Sequence, residues 1–147
     1  MKKIALLSLL SVVLFGGDII TKQSCVSVDK TIENIKYIVK KKGFGVFAVI
    51  NHKGNAKAVE MKLRESKMIV FGNPKIGTKL MQEDITIGLD LPLRVLVYKD
   101  SDGKVKMAYR DGDWIAQHHI VQAPQLIKKV NMGLDNLTTK AGQCLRD

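Results

Sequence analysis

Aromatic residues are scarce: Phe, Tyr and Trp fill 5% of the 147 positions, and there is one Trp. Flat side chains are what single-stranded nucleic acids stack on, and no recognition motif for DNA or RNA is present, so the chain reads as no nucleic-acid binder despite its basic charge. Cysteine is limited to two residues with no C-x-x-C pair, which excludes a dithiol redox motif. Neither G-x-S-x-G nor H-E-x-x-H occurs, so serine-hydrolase and zinc-protease chemistry has no support. No apolar run reaches the roughly twenty residues of a comfortable membrane span. Internal repeats, low-complexity stretches and linkers are also missing, and one domain is the default at this length.

What is present starts with a step in polarity. Lys2 and Lys3 precede residues 4–15, which are apolar apart from two serines. A basic start followed by such a run has the form of a secretory signal. The expected product is periplasmic, cleaved near Gly16 or Gly17, with no stable membrane span; left uncleaved, the segment would tether the chain to a membrane. Cys25 is too far downstream, and lacks the small-residue motif before it, for a lipoprotein cysteine. Lys and Arg number 24 against 14 Asp and Glu, and the formal charge of +10 falls to +8 once Lys2 and Lys3 are removed. Lys36, Lys40, Lys41 and Lys42 crowd the end of the first predicted helix, where cations suit the helix dipole. The excess reads as a solvated basic surface or as a surface for an anionic partner such as a membrane headgroup, a cell-wall polymer or an acidic protein.

Hydrophobic spacing supplies the elements. Ser27 or Asp29 caps a helix with Val28, Ile32, Ile35 and Ile38 or Val39 on one face, ending at Gly43. Residues 44–51 form a strand apolar on both faces, expected near the middle of a sheet, with His52 on one face by parity. Val59, Met61 and Leu63 alternate with Glu60, Lys62 and Arg64 as a half-exposed strand. Residues 68–71 form a buried strand closed by Gly72. Asn73 and Pro74 then open a helix as cap and first residue, with Ile76 and Leu80 on its face. Residues 93–98 and 104–109 pair as a hairpin around Asp100, Ser101, Asp102 and Gly103. Asp113 caps a short helix over 114–119, and Pro124 opens a last one with Leu126, Ile127, Val130, Leu134 and Leu137 buried. The expected organisation is a signal at 1–17, an arm at 18–28, an α+β domain at 29–137 and a flexible tail at 138–147.

The segments FGNPKIGTKLM, GLDLPLRVLVY, the D-x-D-G-K-V turn and AYRD, followed by a histidine, resemble the exported branch of the domain of unknown function 302 family. The resemblance spans roughly residues 30–120. It implies a two-layer α+β domain with a largely antiparallel sheet and helices packed on one face, similar to a TATA-binding-protein-like sheet, and it implies a homodimer. No activity comes with it, since the family is named for lacking one.

Three groups of residues carry candidate chemistry. His52, His118 and His119 are the only histidines, and imidazole binds metals and haem or moves protons; adjacent residues of a helix point about 100° apart, so at most one of the last two faces inward. Family sequences tend to carry histidines at the positions of His52 and His119. The expected site is therefore a cleft at the sheet edge lined by His52, Asn73 and His119, with Lys75 and Arg94 as charge partners; His52 and His119 are the candidate metal or haem ligands. The Gly72, Asn73, Pro74 corner either is simply capped by Asn73 or offers helix N–H groups beside Lys75 to an anion, and Gly77 and Thr78 let a ligand or a backbone come close. Asp100 and Asp102 lack the further oxygen ligands of a calcium loop and read as turn residues. Cys25 and Cys144 are candidates for a disulfide, which export favours. Two functions follow: a non-enzymatic exported binding or interaction domain with an unknown ligand, or a metal- or haem-dependent periplasmic protein or enzyme using His52 and His119.

Overall fold

The computed structural model describes residues 19–144. The expected signal at 1–17 lies outside them. Five antiparallel strands form one sheet: β1 (Ile20–Ser24), β2 (Gly45–Asn51), β3 (Ser66–Gly72), β4 (Leu93–Lys99) and β5 (Val105–Tyr109), in the order β1-β5-β4-β3-β2. Helices α1 (Val28–Lys41), α2 (His52–Ala58), α3 (Pro74–Glu83), α4 (Gly112–His118) and α5 (Pro124–Ala141) complete the α+β domain, with a 3-10 turn at Ile85–Leu89.

The period of two along β3, β4 and β5 puts Ile69, Phe71, Val95, Val97, Met107 and Tyr109 on one face, where all are buried. Against that face lie Val28, Ile32, Ile35 and Val39 of α1 and Val130, Leu134 and Leu137 of α5, at the expected helical spacings. Ser27 caps α1 by accepting from the Lys30 N–H, and Gly43, with φ of 72°, turns the chain out of it. A smaller cluster of Leu80, Ile87, Ile115 and Ile127 joins α3, α4 and α5 below the sheet end. The predicted hairpin forms with Lys99 opposite Val105. Asp100 holds its turn by accepting from the N–H groups of Asp102 and Lys104 and pairing with Lys106 at 2.9 Å.

Several expectations are overturned. The strand at 44–51 is an edge, not a centre: β2 pairs only with β3, and Phe47 and Val49 are exposed. Its two-sided apolar pattern arises because Phe44 and Phe47 line a cavity at the sheet end. Residues 59–63 form no strand. Because Asn51 is already opposite Lys67, the ladder from β2 to β3 leaves no slot for another strand between them. Val59 instead ends α2, Glu60 takes a φ of 58°, and Val59, Met61 and Leu63 are exposed. The expected arm contains β1, hidden in sequence because its inward positions are Lys22 and Ser24, whose polar ends are satisfied by Asp135 and Thr31. Asp111, not Asp113, caps α4, accepting from the N–H groups of Asp113 and Trp114.

Of the expected loose tail, the described residues 138–144 are the last turn of α5 and its anchor. Thr138 and Ala141 are buried, and the Cys25 N–H donates to the Gly142 carbonyl at 2.9 Å. A Cβ at Gly142 would stand 2.6 Å from Met107 Cε and 3.1 Å from Ser24 Cα, so only glycine lets α5 end this close to β1. Cys25 and Cys144 are disulfide-bonded, their Cα atoms 4.9 Å apart. The bridge closes a loop across a sequence separation of 119. In the chain-entropy account a loop of that size stabilises by at most about 4–5 kcal/mol. Mild reduction should therefore lower the melting temperature without altering the far-ultraviolet circular dichroism at 25 °C, and two freely alkylated thiols in the unreduced protein would contradict the bridge.

Candidate functional site

At the end of the sheet where β3 finishes and β4 begins, the FGNP corner forms as predicted. Phe71 points into the core, Gly72 pairs with Gly45 across the ladder, Asn73 caps α3, and Pro74 is its first residue. The corner is closed to an anion, however. The Asn73 side chain accepts the Lys75 N–H at 2.9 Å, the Asn73 carbonyl accepts those of Ile76 and Gly77, and Pro74 has none. Every donor of that first turn is in use, and the anion site expected there is not offered.

Beside the corner lies a cavity of about 540 Å³ between α3, α5, the end of α1 and the sheet. Its wall is apolar, including Phe44, Phe47, Phe71, Leu80, Met81 and Leu134. Three of the chain's four phenylalanines are gathered here. Gly77 and Thr78 also line it, in keeping with the close approach expected of them, and so do Asn73 and Gly133. A Cβ at Gly133 would meet no atom within 4 Å, so a helix-interior glycine opens onto free space. Two charged residues, Lys42 and Lys129, reach the lining, and no acidic residue does.

His119 is buried close by, its side chain 7% exposed, as the C-cap of α4. Its Nε2 lies 2.7 Å from Asp90 Oδ2, and its Nδ1 lies 3.0 Å from the Thr86 hydroxyl. That hydroxyl lies in turn 2.6 Å from Asp84 Oδ1 and donates to it, so the ring, the hydroxyl and two carboxylates form one connected polar cluster. Asp84 also accepts from the N–H groups of Thr86 and Ile120. The Thr86 hydroxyl, then the Ile120 and Thr86 N–H groups, and last the charge of His119, lower the Asp84 carboxyl from the ordinary 3.8 to about 2. Arg94 reaches Asp90 at 3.5 Å, so two of the expected residues, Arg94 and His119, meet through a carboxylate that the sequence did not single out. His118 faces outward, stacked on Trp114 with ring centres 4.1 Å apart, and the Arg110 guanidinium covers Trp114 at 4.3 Å.

The other expected members do not join. His52 opens α2 directly after the β2 residue paired with Lys67, at the start of β3, whereas Asn73 and His119 belong to its far end. The seven residues of β3 put about 20 Å between them at about 3.3 Å per residue. Within one subunit His52 and His119 cannot share a metal or haem, and the single cleft lined by His52, Asn73 and His119 does not form. The parity argument failed because the strand ends at Asn51, whose side chain caps α2 by accepting from Gly54. Lys75 is exposed and outside the cavity lining. Asp84, Thr86 and Asp90 went unnoticed because their partner His119 is about thirty residues away. Lys129 and Gly133 were missed too, although a glycine inside a helix costs about 1 kcal/mol against alanine and so asks for a reason.

A five-stranded antiparallel sheet with helices on one face and an apolar cavity at its end defines the class as a small α+β domain. The model of the family described as domain of unknown function DUF302 matches residues 20–141, and the chain belongs to that family. A crystal structure of an uncharacterized conserved DUF302 protein from Bacillus stearothermophilus superposes with a TM-score of 0.68 over 86% of this chain and 97% of that one; at 17% identity it speaks to the fold alone. Proteins from Brucella suis biovar 1 and Brucella abortus biovar 1, each named fluoride-specific ion channel FluC 1, are 43% identical over 106 residues. That stretch is 72% of this chain but 42% and 39% of those proteins, so the chain spans about two fifths of their length.

Asp84 gives the site a test. Its lowered pKa contributes stability that is present above pH 3.8 and lost as pH falls through about 2. Asp84→Asn should therefore lower stability at pH 7 and flatten the fall between pH 4 and 2, as read by urea unfolding at each pH; an unchanged acid slope would count against the clasp.

Proposed function

We propose that the protein is an exported, periplasmic binding domain, homodimeric, that takes a small apolar molecule in the cavity between α3, α5 and the sheet. The observation that carries this is the cavity itself: about 540 Å³ falls within the roughly 300–1,000 Å³ of small-molecule sites, and apolar walls with few polar groups are typical of them. Gly133, a helix-interior glycine in the lining with open space where a Cβ would stand, leaves that part of the wall free of a side chain. Export is supported by residues 4–15 and by the Cys25–Cys144 bridge, which suits an oxidising compartment. For the dimer the supporting feature is β2, an edge strand that carries exposed Phe47 and Val49 and stands unpaired on its outer side. A second copy pairing along it would cover both.

The metal- or haem-dependent alternative loses its shared site with the separation of His52 from His119. Channel activity is not carried over from the Brucella proteins. No helix of the described residues is long and apolar enough to cross a membrane, and the shared stretch reads as a domain joined to a channel in those longer relatives.

Gly133→Leu puts a side chain into the open space at the cavity wall, and by helix propensity should raise stability by up to about 1 kcal/mol. Binding of an environment-sensitive apolar dye should fall at least tenfold in this variant; undiminished binding would place the ligand elsewhere. Val49→Lys should shift the sedimentation coefficient from dimer to monomer, and a wild-type monomer would dispose of the dimer. In cell fractionation the protein should be found in the periplasm with residues 1–17 removed, and an intact N-terminus in the cytoplasm would oppose export.

A further inference from the structure

We propose that the cavity's occupant is a single-chain anionic amphiphile, a medium- to long-chain carboxylate lying with its tail inward and its head at Lys42 and Lys129. This rests on the reading of the cavity as a ligand site and specifies its chemistry. Deep in the wall are Val39, Phe71, Leu80 and Leu134, each 3% exposed or less, which give a tail an apolar environment. The same wall would reject a peptide or a sugar. The Asn73 side-chain oxygen is committed to the Lys75 N–H, and the neutral polar groups left among the lining side chains are the Asn73 NH2 and the Thr78 hydroxyl, too few for a ligand polar along its length, which would bury groups without partners.

Charge selects the head group. Lys42 and Lys129 are exposed, both belong to the lining, and neither takes part in an ion pair among the described residues. With no carboxylate in the lining, a cationic head would find no counter-charge. An anion finds two, and its carboxylate can stay in partial contact with water, where lysine ammonium groups on flexible stems meet it at little desolvation cost. The tail then provides affinity and the head provides orientation.

Calorimetry on the purified protein tests this with octanoate, decanoate, dodecanoate and tetradecanoate below their micelle concentrations, beside the matching alcohols and alkylammonium ions. The expected result is an affinity rising by about fourfold per methylene until the tail outgrows the cavity. Each carboxylate should bind at least fivefold more tightly than its alcohol, and the alkylammonium ion more weakly than either. The Lys42→Glu, Lys129→Glu double variant should lose the preference for carboxylate while keeping the binding of alcohols; both positions are exposed, and an unchanged melting temperature verifies the fold. Gly133→Leu should weaken the whole series. Alcohols or alkylammonium ions binding as well as carboxylates, with Gly133→Leu still blocking them, would overturn the head-group assignment and leave the cavity reading standing. No binding in any series, or binding indifferent to Gly133→Leu, would overturn both. A peptide of residues 4–15 displacing every carboxylate would assign the cavity to the chain's own N-terminal segment and overturn the proposal.

Discussion

One-sided burial governs this fold. Five strands present an apolar face, and two long helices, α1 and α5, are what cover it. Side chains such as Ile35, Ile69, Val95, Val97 and Leu134 are within 1% of complete burial where helix and sheet overlap fully. Dense packing of this kind stabilises by about 25 cal/mol for each Å² of apolar surface withdrawn from water. Coverage thins toward the junction of β2, β3 and β4, where α1 ends at Lys41 and the cavity opens between α3, α5 and the sheet. The cavity lies at that thin corner. It is the place where helices sized for the middle of the sheet leave apolar surface that they do not fill.

Legibility followed the range of the interactions. Ser27, Asn73 with Pro74, the Asp100 turn and the hairpin depend on residues within about four positions of each other, and each formed as read. Where a distant partner decides the outcome, the local pattern misled. The arm expected at 18–28 hides β1, because Asp135 and Thr139, more than a hundred residues on, are what make Lys22 an inward member of a strand. Val59, Met61 and Leu63 have the alternation of a strand and no strand to pair with. Residues 44–51 look central because Phe44 and Phe47 serve the cavity, which from sequence resembles burial inside a sheet. The corner at Asn73 and its capping were visible; that the opening would lie beside it was not.

His119 shows how a residue suited to chemistry can serve a wall instead. Its two nitrogens hold Asp90 and, through Thr86, Asp84. Asp90 adjoins Leu91 and Pro92, and Asp84 follows the helix that contributes Leu80 and Met81; all four line the cavity. The Gln122 N–H donates to Glu83 at 2.5 Å and fastens the α4–α5 connection to the same place. A polar clasp of this kind fixes backbone position more tightly than apolar contact can, since its hydrogen bonds are directional and satisfied on all sides. Among the described residues no buried side-chain polar atom is left without a partner. The cluster thus sets the shape of the wall without touching what lies behind it.

The ends of the domain also have a consequence for how it can be combined. Cys25, just past the end of β1, and Cys144, just past α5, lie 4.9 Å apart at their Cα atoms, while the chain enters the fold at the other end of β1, at Ile20. Entry and exit are thus separated by one short edge strand, roughly 17 Å at about 3.3 Å per residue, close enough for the unit to be joined to either end of another protein or carried on its surface. The bridge makes the α5 end of that junction a fixed point. Modularity of this sort is in keeping with relatives in which a stretch similar to this chain makes up about two fifths of a larger protein.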